Sequence, residues 1–242
     1  YDVCIIGGGV IGTAIARELS RYEMKIVLLE KEAELAFGVS KSNSGIIHPG
    51  TQNPPGSLKG RLCVRGNNLT RRLAKELSID LKEVGEIIVA FNKGEARRLL
   101  QLKKDGHALG VPGLRIVNKA WLRKNEPNLS RDAVAALYSP SAAVISPYRW
   151  VYNLAENAVA NGVAVCTGTG VTEIKPHESG FKIMASGRIF SARFVINACG
   201  LYADVVANMV GLNDFQIRPR KGEEYLLDKK MKCMTNHLIF PL

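Results

Sequence analysis

The opening of the chain combines two continuous apolar runs with one helical pattern between them. Residues 2–6 (Asp-Val-Cys-Ile-Ile) and 25–29 (Lys-Ile-Val-Leu-Leu) are the short runs that a strand buried on both faces of a parallel sheet needs. The apolar residues between these runs recur at the spacing of one helix face, and they are Val10, Ile11, Ala14, Ile15 and Leu19. The pattern predicts a strand, a helix and a second strand in succession.

The remainder of the chain alternates between helical and extended patterns. Helices are predicted for a basic amphipathic stretch around 62–77, for 94–109, for 151–158 and for a stretch around 201–210. Strands are predicted at 85–91, 133–138, 163–166, 171–174, 192–198 and 238–240, with a hairpin pairing 181–185 with 188–191. A further strand is expected directly after Gly222-Glu223. The mixture of patterns predicts an α/β protein.

Composition narrows the class of protein. Apolar residues make up 46% of the 242 residues, which excludes a disordered or fibrous chain, and no apolar run approaches the roughly 18 residues of a membrane span. Because the chain opens and closes within apparent strands, we expect no signal peptide and a longer natural polypeptide. The five cysteines form an odd set without a CxxC pair, which indicates reduced thiols in a cytoplasmic protein, and they are Cys4, Cys63, Cys166, Cys199 and Cys233.

A glycine-rich turn lies between the first predicted strand and helix. Residues 7–12 satisfy G-x-G-x-x-G, and Glu30 closes the second strand eighteen residues after Gly12. In such a turn Gly7 permits the tight bend, Gly9 lets the backbone approach a pyrophosphate, and Gly12 allows close packing of helix and strand. Glu30 can accept both hydroxyls of an adenosine ribose and would repel a 2′-phosphate. The motif therefore predicts a dinucleotide site that disfavours NADP.

Two later segments favour FAD over NAD. The apolar strand 194–197 runs into the small-residue turn Ala198-Cys199-Gly200, which offers a second backbone approach to a long cofactor. The polar run 40–48 is suited to line a pyrophosphate and then a flavin ring, and Val171 opens a strand whose backbone can contact the adenine. The predicted cofactor-binding residues are Gly7, Gly9, Val10, Ile11, Gly12, Glu30, Lys31, Ser40, Asn43, Ser44, Gly45, Ile47, Val171, Ala198, Cys199 and Gly200.

At these residues the chain resembles the FAD-dependent oxidoreductases of the D-amino-acid oxidase superfamily. It is similar to the branch that contains flavin-linked glycerol-3-phosphate dehydrogenases and oxidases and L-2-hydroxyglutarate oxidases. The stretches that carry the resemblance are 1–19, 43–50, 55–66, 85–91, 197–204 and 219–227. The resemblance implies a two-dinucleotide-binding-type FAD domain with a parallel sheet, interleaved with a partial antiparallel substrate domain. It also implies a C-terminal half that completes the flavin site.

His48 is the candidate catalytic residue. Flavin-linked oxidation of a secondary alcohol needs a base for the hydroxyl proton, imidazole titrates near neutral pH, and small residues at 45 and 50 would let His48 approach a flavin. The resemblance implies the same role. Arg220 and Lys221 are the candidate substrate-binding cations. None of the four histidines has metal-ligand spacing, so no metal site is predicted.

Charge points to anionic partners. Thirty-three basic against twenty-two acidic residues give +11, and 59–75 contains six basic residues and no acidic one. Such an excess suits an anionic substrate, a peripheral contact at the inner face of the membrane, or an unspecialised solvated surface. Nucleic acid is the least favoured of the anionic partners.

The sequence therefore predicts a discontinuous FAD-binding domain (1–84 and 141–216) and a substrate domain (85–140 and 217–242). The leading function is oxidation of sn-glycerol 3-phosphate to dihydroxyacetone phosphate, and the alternative within the family is oxidation of L-2-hydroxyglutarate. A third alternative is a non-catalytic flavin-binding subunit that acts as a scaffold or binds RNA. The electron acceptor is left open between oxygen, a quinone and a partner subunit.

Overall fold

The computed structural model describes residues 1–231 and 234–242. The strands in this part of the chain are β1 (Val3–Ile6), β2 (Ile26–Leu29), β3 (Ile46–Ile47), β4 (Leu81–Glu83), β5 (Glu86–Ala90), β6 (Arg115–Asn118), β7 (Ala135–Ser139), β8 (Ala143–Ile145), β9 (Ala164–Cys166), β10 (Val171–His177), β11 (Gly180–Ala185), β12 (Arg188–Ala192), β13 (Phe194–Asn197) and β14 (Leu238–Pro241). The α-helices are α1 (Val10–Leu19), α2 (Leu58–Glu76), α3 (Lys93–Ala108), α4 (Lys119–Asn125), α5 (Pro147–Ala160) and α6 (Ala203–Asn208).

The chain divides into two compact units. The first contains Tyr1–Ser44 and Ser146–Glu223, and the second contains Gly45–Ile145 and Glu224–Leu242. Each unit is therefore built from segments that are distant in sequence.

The first unit is a parallel sheet covered on both faces. Its strands follow the order β13-β1-β2-β9, and all neighbouring pairs are parallel. Successive residues of β1 point to opposite faces: Val3 and Ile5 pack with α1 and α5, whereas Cys4 and Ile6 pack with the antiparallel sheet β10-β11-β12. Burial on both faces explains why β1 and β2 are continuous apolar runs.

The second unit combines a mixed sheet with a small antiparallel one. In the order β14-β5-β7-β6, β14 pairs with β5 in parallel and the other pairs are antiparallel. Ile88 of β5 packs with Leu99 of α3, while Ile87 packs on the opposite face with Leu122 of α4. The second sheet has the order β3-β8-β4 and is antiparallel.

Side-chain caps start four of the described α-helices. The caps of α2, α3, α4 and α5 each accept a hydrogen bond from a main-chain N–H of the first turn, and they are Ser57, Asn92, Asn118 and Ser146. Helix α1 begins differently, because Gly9 has no side chain to cap it and its first turn contains no acidic residue.

The predicted α/β class, the parallel sheet and the interleaved antiparallel sheets are confirmed. The compact units nevertheless differ from the predicted domain boundaries, because residues 45–84 and 141–145 pack within the second unit. The reason is that β3 and β4 both pair with β8, which joins these segments into one sheet. Residues 217–223 belong to the first unit.

The strand expected after Gly222-Glu223 is a wrong prediction. Residues 221–228 form no regular element, and Tyr225 and Leu226 are almost fully exposed. Residues 224–227 pair with no strand of the described part of the chain. Sequence analysis also missed the short elements β3, β4, β6, β8 and α4.

No helix within the described ranges has both the length and the apolar character that crossing a membrane requires. Four of the cysteines are free thiols, namely Cys4, Cys63, Cys166 and Cys199. Cys233 lies outside the described residues.

Candidate active site

Two glycines allow the turn after β1 to approach its neighbours closely. Gly7 has a φ of +112°, and a Cβ on this residue would overlap the carbonyl oxygen of Ala198. A Cβ on Gly12 would overlap the carbonyl oxygen of Gly7. The first glycine thus brings the β1–α1 turn against the turn that follows β13, and Gly12 lets α1 pack against its own entry turn.

Gly8 positions Glu30, a role that sequence analysis missed. The N–H of Gly8 donates to Glu30 Oε2 at 2.6 Å, and the N–H of Glu32 donates to Glu30 Oε1 at 2.9 Å. A Cβ on Gly8 would lie 2.9 Å from the Cβ of Glu30. Each carboxylate oxygen accepts one main-chain N–H and keeps a second lone pair for a hydroxyl donor. The middle glycine of the run 7–9 was the available signal, at a position that G-x-G-x-x-G leaves unspecified.

The start of α1 is lined by Ser40. The hydroxyl oxygen of Ser40 accepts the N–H of Val10 at 2.9 Å, and a Cβ on Gly9 would lie 2.9 Å from this same oxygen. Asn43 donates from Nδ2 to the carbonyl oxygen of Ser40 at 3.0 Å, which fixes the loop. The amides of a helix N-terminus carry partial positive charge, so this end of α1 is suited to a phosphate.

A cleft of about 180 Å³ in the first unit brings together several predicted cofactor-binding residues. They include Gly7, Glu30, Lys31, Val171 and Cys199. The remaining lining residues are Ile6, Leu29, Thr169, Gly170, Tyr202, Val205, Val206 and Met209. Apolar walls with a few polar groups are typical of a small-molecule site.

The surroundings of Lys31 and Cys199 indicate how these two side chains of the cleft behave. Lys31 Nζ lies 3.8 Å from the centre of the Tyr202 ring, a cation–π contact. Burial, followed by the negative charge of Glu30, raises the pKa of the Cys199 thiol to about 11. Cys199 Sγ also donates to the carbonyl oxygen of Ile6 at 3.2 Å. Cys199 is therefore an uncharged wall of the cleft at neutral pH, not a reactive thiolate.

His48 lies in the second unit, directly after β3. Its ring centroid is 5.9 Å from that of Phe240 on β14. Burial, and secondly the positive charge of Lys59, lower the pKa of the imidazole below its ordinary value of 6.5. Both effects disfavour the charged form. At neutral pH the ring is therefore mainly uncharged and able to accept a proton.

A buried amide holds the main chain of His48, and sequence analysis missed it. Asn67 Nδ2 donates to the carbonyl oxygen of His48 at 3.1 Å, and Arg71 Nε donates to Asn67 Oδ1 at 3.2 Å. Both residues lie on α2, where the sequence shows only a basic amphipathic helix. No local pattern connects positions 48 and 67, so the sequence contained no signal for this contact.

The other predicted site residues are dispersed. Ser44 ends the first segment of the first unit, and Gly45 and Ile47 begin the second unit, where the carbonyl oxygen of Gly45 accepts the N–H of Ile145 at 2.9 Å. Arg220 and Lys221 are exposed and do not line the cleft, and Lys221 Nζ pairs with Glu223 Oε1 at 2.6 Å. Their assignment to substrate binding stays a prediction, as does the role of each cofactor-binding residue.

The remaining cofactor candidates lie in the first unit. Val10 and Ile11 are the first residues of α1, Ala198 donates its N–H to the carbonyl oxygen of Ile6, and Gly200 has a φ of +54°.

Comparison with known families decides the class of this site. Residues 2–242 match the family described as FAD dependent oxidoreductase. The chain belongs to this family.

Members of the FAD-dependent oxidoreductase family resemble the chain over nearly all of its length. A glycerol 3-phosphate dehydrogenase of Caloramator mitchellensis is 40% identical over 240 residues, which cover 99% of this chain and 50% of that protein. An L-2-hydroxyglutarate dehydrogenase of Indibacter alkaliphilus is 32% identical over 246 residues, which cover 100% of this chain and 61% of that protein. The structure of dithionite-reduced L-alpha-glycerophosphate oxidase from Mycoplasma pneumoniae with FAD bound superimposes with a TM-score of 0.84 at 30% identity. The match covers 99% of this chain and 64% of that one, so the chain spans half to about two thirds of these relatives.

The residues of the first unit fit the adenosine diphosphate part of the family's cofactor. Gly8 and Glu32 fix the carboxylate of Glu30 while leaving it able to accept ribose hydroxyls. The first turn of helix α1 contains no acidic residue of its own. The cleft places apolar side chains beside the carboxylate of Glu30. These features suit a dinucleotide with a free 2′-hydroxyl.

Proposed function

We propose that this chain is the FAD-binding and proton-accepting part of an enzyme that oxidises a secondary alcohol. When bound, FAD supplies the hydride acceptor for the CH–OH group. The observation that supports the proposal is a half-buried imidazole whose pKa is lowered by burial and whose main chain is held by a buried amide, in a chain whose first unit also contains the cleft lined by Gly7 and Glu30. A scaffold or RNA-binding subunit would require neither the lowered pKa of His48 nor its main-chain support.

The first unit would hold the nucleotide end of the cofactor. Glu30 would accept the ribose hydroxyls, the N-terminus of α1 would attract the pyrophosphate, and the main chain of Gly170 and Val171 would be available to the adenine. The same carboxylate repels a 2′-phosphate, which makes the site specific for a cofactor without one.

His48 would take the proton of the substrate hydroxyl. Because its pKa is lowered, an unprotonated ring nitrogen is available at neutral pH, and removal of the hydroxyl proton drives electron density toward the carbon that loses hydride. No metal is needed in this scheme, since the proton goes to imidazole and the electron pair leaves with the hydride.

The substrate that we propose is sn-glycerol 3-phosphate, and the product is dihydroxyacetone phosphate. The support is the higher identity to the glycerol 3-phosphate dehydrogenase, 40%, than to the L-2-hydroxyglutarate dehydrogenase, 32%. A net charge of +11 also suits an anionic substrate. We propose Arg220 and Lys221 as cations that attract its phosphate.

Anaerobic bleaching of the flavin tests the substrate without reference to the electron acceptor. We expect glycerol 3-phosphate to reduce the flavin of the full-length protein and lower its visible absorbance. Bleaching by L-2-hydroxyglutarate alone would replace the proposed substrate but keep the reaction class. If neither alcohol bleaches the flavin, the proposed oxidation is wrong. Glycerol, which has no charge, is the matched control and should bleach far more slowly.

A further inference from the structure

A buried asparagine lies in the middle of helix α2. Asn67 is only 4% exposed, although asparagine is a poor former of helix interiors and a buried amide is costly unless all its groups are bonded. Its neighbour Asn68 is exposed. The two adjacent asparagines therefore meet opposite environments on the same helix.

Within the described part of the chain, the side-chain NH2 group of Asn67 donates only to main-chain carbonyl oxygens outside its own helix. Nδ2 donates to the carbonyl oxygen of His48 at 3.1 Å and to that of Ser141 at 2.8 Å, with a longer contact of 3.4 Å to that of Ile47. One turn earlier, Cys63 Sγ lies 3.5 Å from the same oxygen of His48. One face of α2 thus holds the main chain of His48 against the loop between β7 and β8.

Arg71 sets the orientation of this amide. A guanidinium has only donors, and Arg71 Nε donates to Asn67 Oδ1. The side-chain NH2 group of Asn67 must therefore face the carbonyl oxygens. Arg71 is held in turn by the carboxylate of Glu83 and by the carbonyl oxygen of Ser141. Of the basic residues of α2, Arg71 is thus committed to internal contacts, whereas Arg72 is exposed.

We propose that Asn67, oriented by Arg71, is a positioning residue that sets the direction in which the His48 imidazole leaves the main chain. The inference rests on the proposed function of His48. Fixing the carbonyl oxygens at positions 47 and 48 fixes the peptide planes that determine the Cα–Cβ direction of His48. The ring of Phe240 restricts the positions open to the His48 imidazole, since the two ring centroids are 5.9 Å apart. Loss of the Asn67 NH2 group lets these peptide planes rotate. Misplacing a catalytic group by about 1 Å can cost up to about 100-fold in rate.

The test compares Asn67→Asp with Asn68→Asp in the full-length protein loaded with FAD. The first substitution keeps shape but turns a carboxylate toward carbonyl oxygens, and the second makes the same change on the exposed neighbour. We expect Asn67→Asp to slow single-turnover flavin reduction by glycerol 3-phosphate by about 10- to 100-fold, and Asn68→Asp to leave it unchanged. If Asn67→Asp does not fold, Arg71→Gln and Arg72→Gln are compared instead. We then expect slower flavin reduction in Arg71→Gln and the wild-type rate in Arg72→Gln.

The second readout is the NMR titration of the His48 imidazole, which requires no turnover. We expect a changed chemical shift and midpoint for His48 in Asn67→Asp and Arg71→Gln, and wild-type values in Asn68→Asp and Arg72→Gln. Wild-type titration and rate in folded Asn67→Asp, or in Arg71→Gln where Asn67→Asp does not fold, would overturn the positioning role. Failure of the proposed function has a different signature, since His48→Gln would then reduce its flavin at the wild-type rate.

Discussion

The nucleotide cleft and the His48 segment are constructed by opposite means. In the first unit, the absence of a side chain at Gly7 and Gly12 allows main-chain segments to approach closely, and the main-chain N–H of Gly8 donates to Glu30. In the second unit a side-chain amide, Asn67, holds the main chain of His48. The glycine turn beside the cleft has no space for an added atom at Gly7 or Gly12, whereas a segment held by side chains is sensitive to the chemistry of each donor. The two regions should therefore fail in different ways when they are changed.

The largest effect is expected from a single methyl group in the glycine turn. In Gly12→Ala the added Cβ would overlap the carbonyl oxygen of Gly7, in a packed place with no room to relax. We expect a loss of about 3 kcal/mol in the free energy of unfolding and purification without flavin. Urea denaturation and the flavin absorbance measure both effects. Gly38→Ala is the matched control, because a Cβ there meets no atom within 4 Å. Equal flavin content in the two variants would contradict the steric account.

A smaller effect is expected from the carboxylate of the cleft. Glu30→Ala removes the proposed acceptor for the ribose hydroxyls, together with the acceptors of the Gly8 and Glu32 N–H groups. We expect FAD binding to weaken by roughly 1 to 3 kcal/mol, the usual cost of an unpaired polar group. Titration of the apoprotein with FAD measures the change, with the exposed Glu34→Ala as control. Unchanged affinity in Glu30→Ala would place the ribose elsewhere.

The smallest effect concerns a carboxyl group of the second unit. Glu86 is 2% exposed, and its Oε1 accepts the hydroxyl of Thr51 at 2.6 Å. Burial raises the pKa of Glu86 despite this hydrogen bond. The folded state thus binds the proton more tightly than the unfolded state, and the associated stability is lost as the pH rises through the raised pKa.

Glu86→Gln keeps an acceptor for Thr51 and removes the charge. We expect its Tm to exceed that of the wild type at about pH 8, where the unfolded carboxyl is fully ionised, and the difference to shrink near pH 4. Thermal melts at both pH values measure this. The exposed Glu224→Gln should show no pH-dependent difference. A difference of the same size at both pH values would argue against burial of the charge as its cause.

The contrast between the regions also explains which features the sequence predicted. Strand β1, the glycines, α1, β2 and Glu30 follow one another within thirty residues, so local patterns reveal all of them. The β11–β12 hairpin is predicted for the same reason. His48 and Asn67 are nineteen residues apart, and Asn67 and Ser141 are seventy-four apart, so only the folded chain brings them together. The strand expected after Glu223 was wrong because a short apolar stretch becomes a strand only where a partner strand lies beside it, and residues 224–227 are exposed.

The central claim is that His48 accepts the substrate proton, and one measurement tests it directly. In the full-length enzyme we expect His48→Gln to keep the wild-type flavin spectrum but to be reduced by glycerol 3-phosphate at least about 100-fold more slowly in single turnover. His107→Gln, on an exposed part of α3, is the control and should match the wild type. The wild-type rate should rise with pH to a plateau with a midpoint below 6.5, in line with the lowered pKa of His48, and the His48→Gln rate should lack this step. Equal reduction rates and equal pH profiles in wild type and His48→Gln would contradict the account.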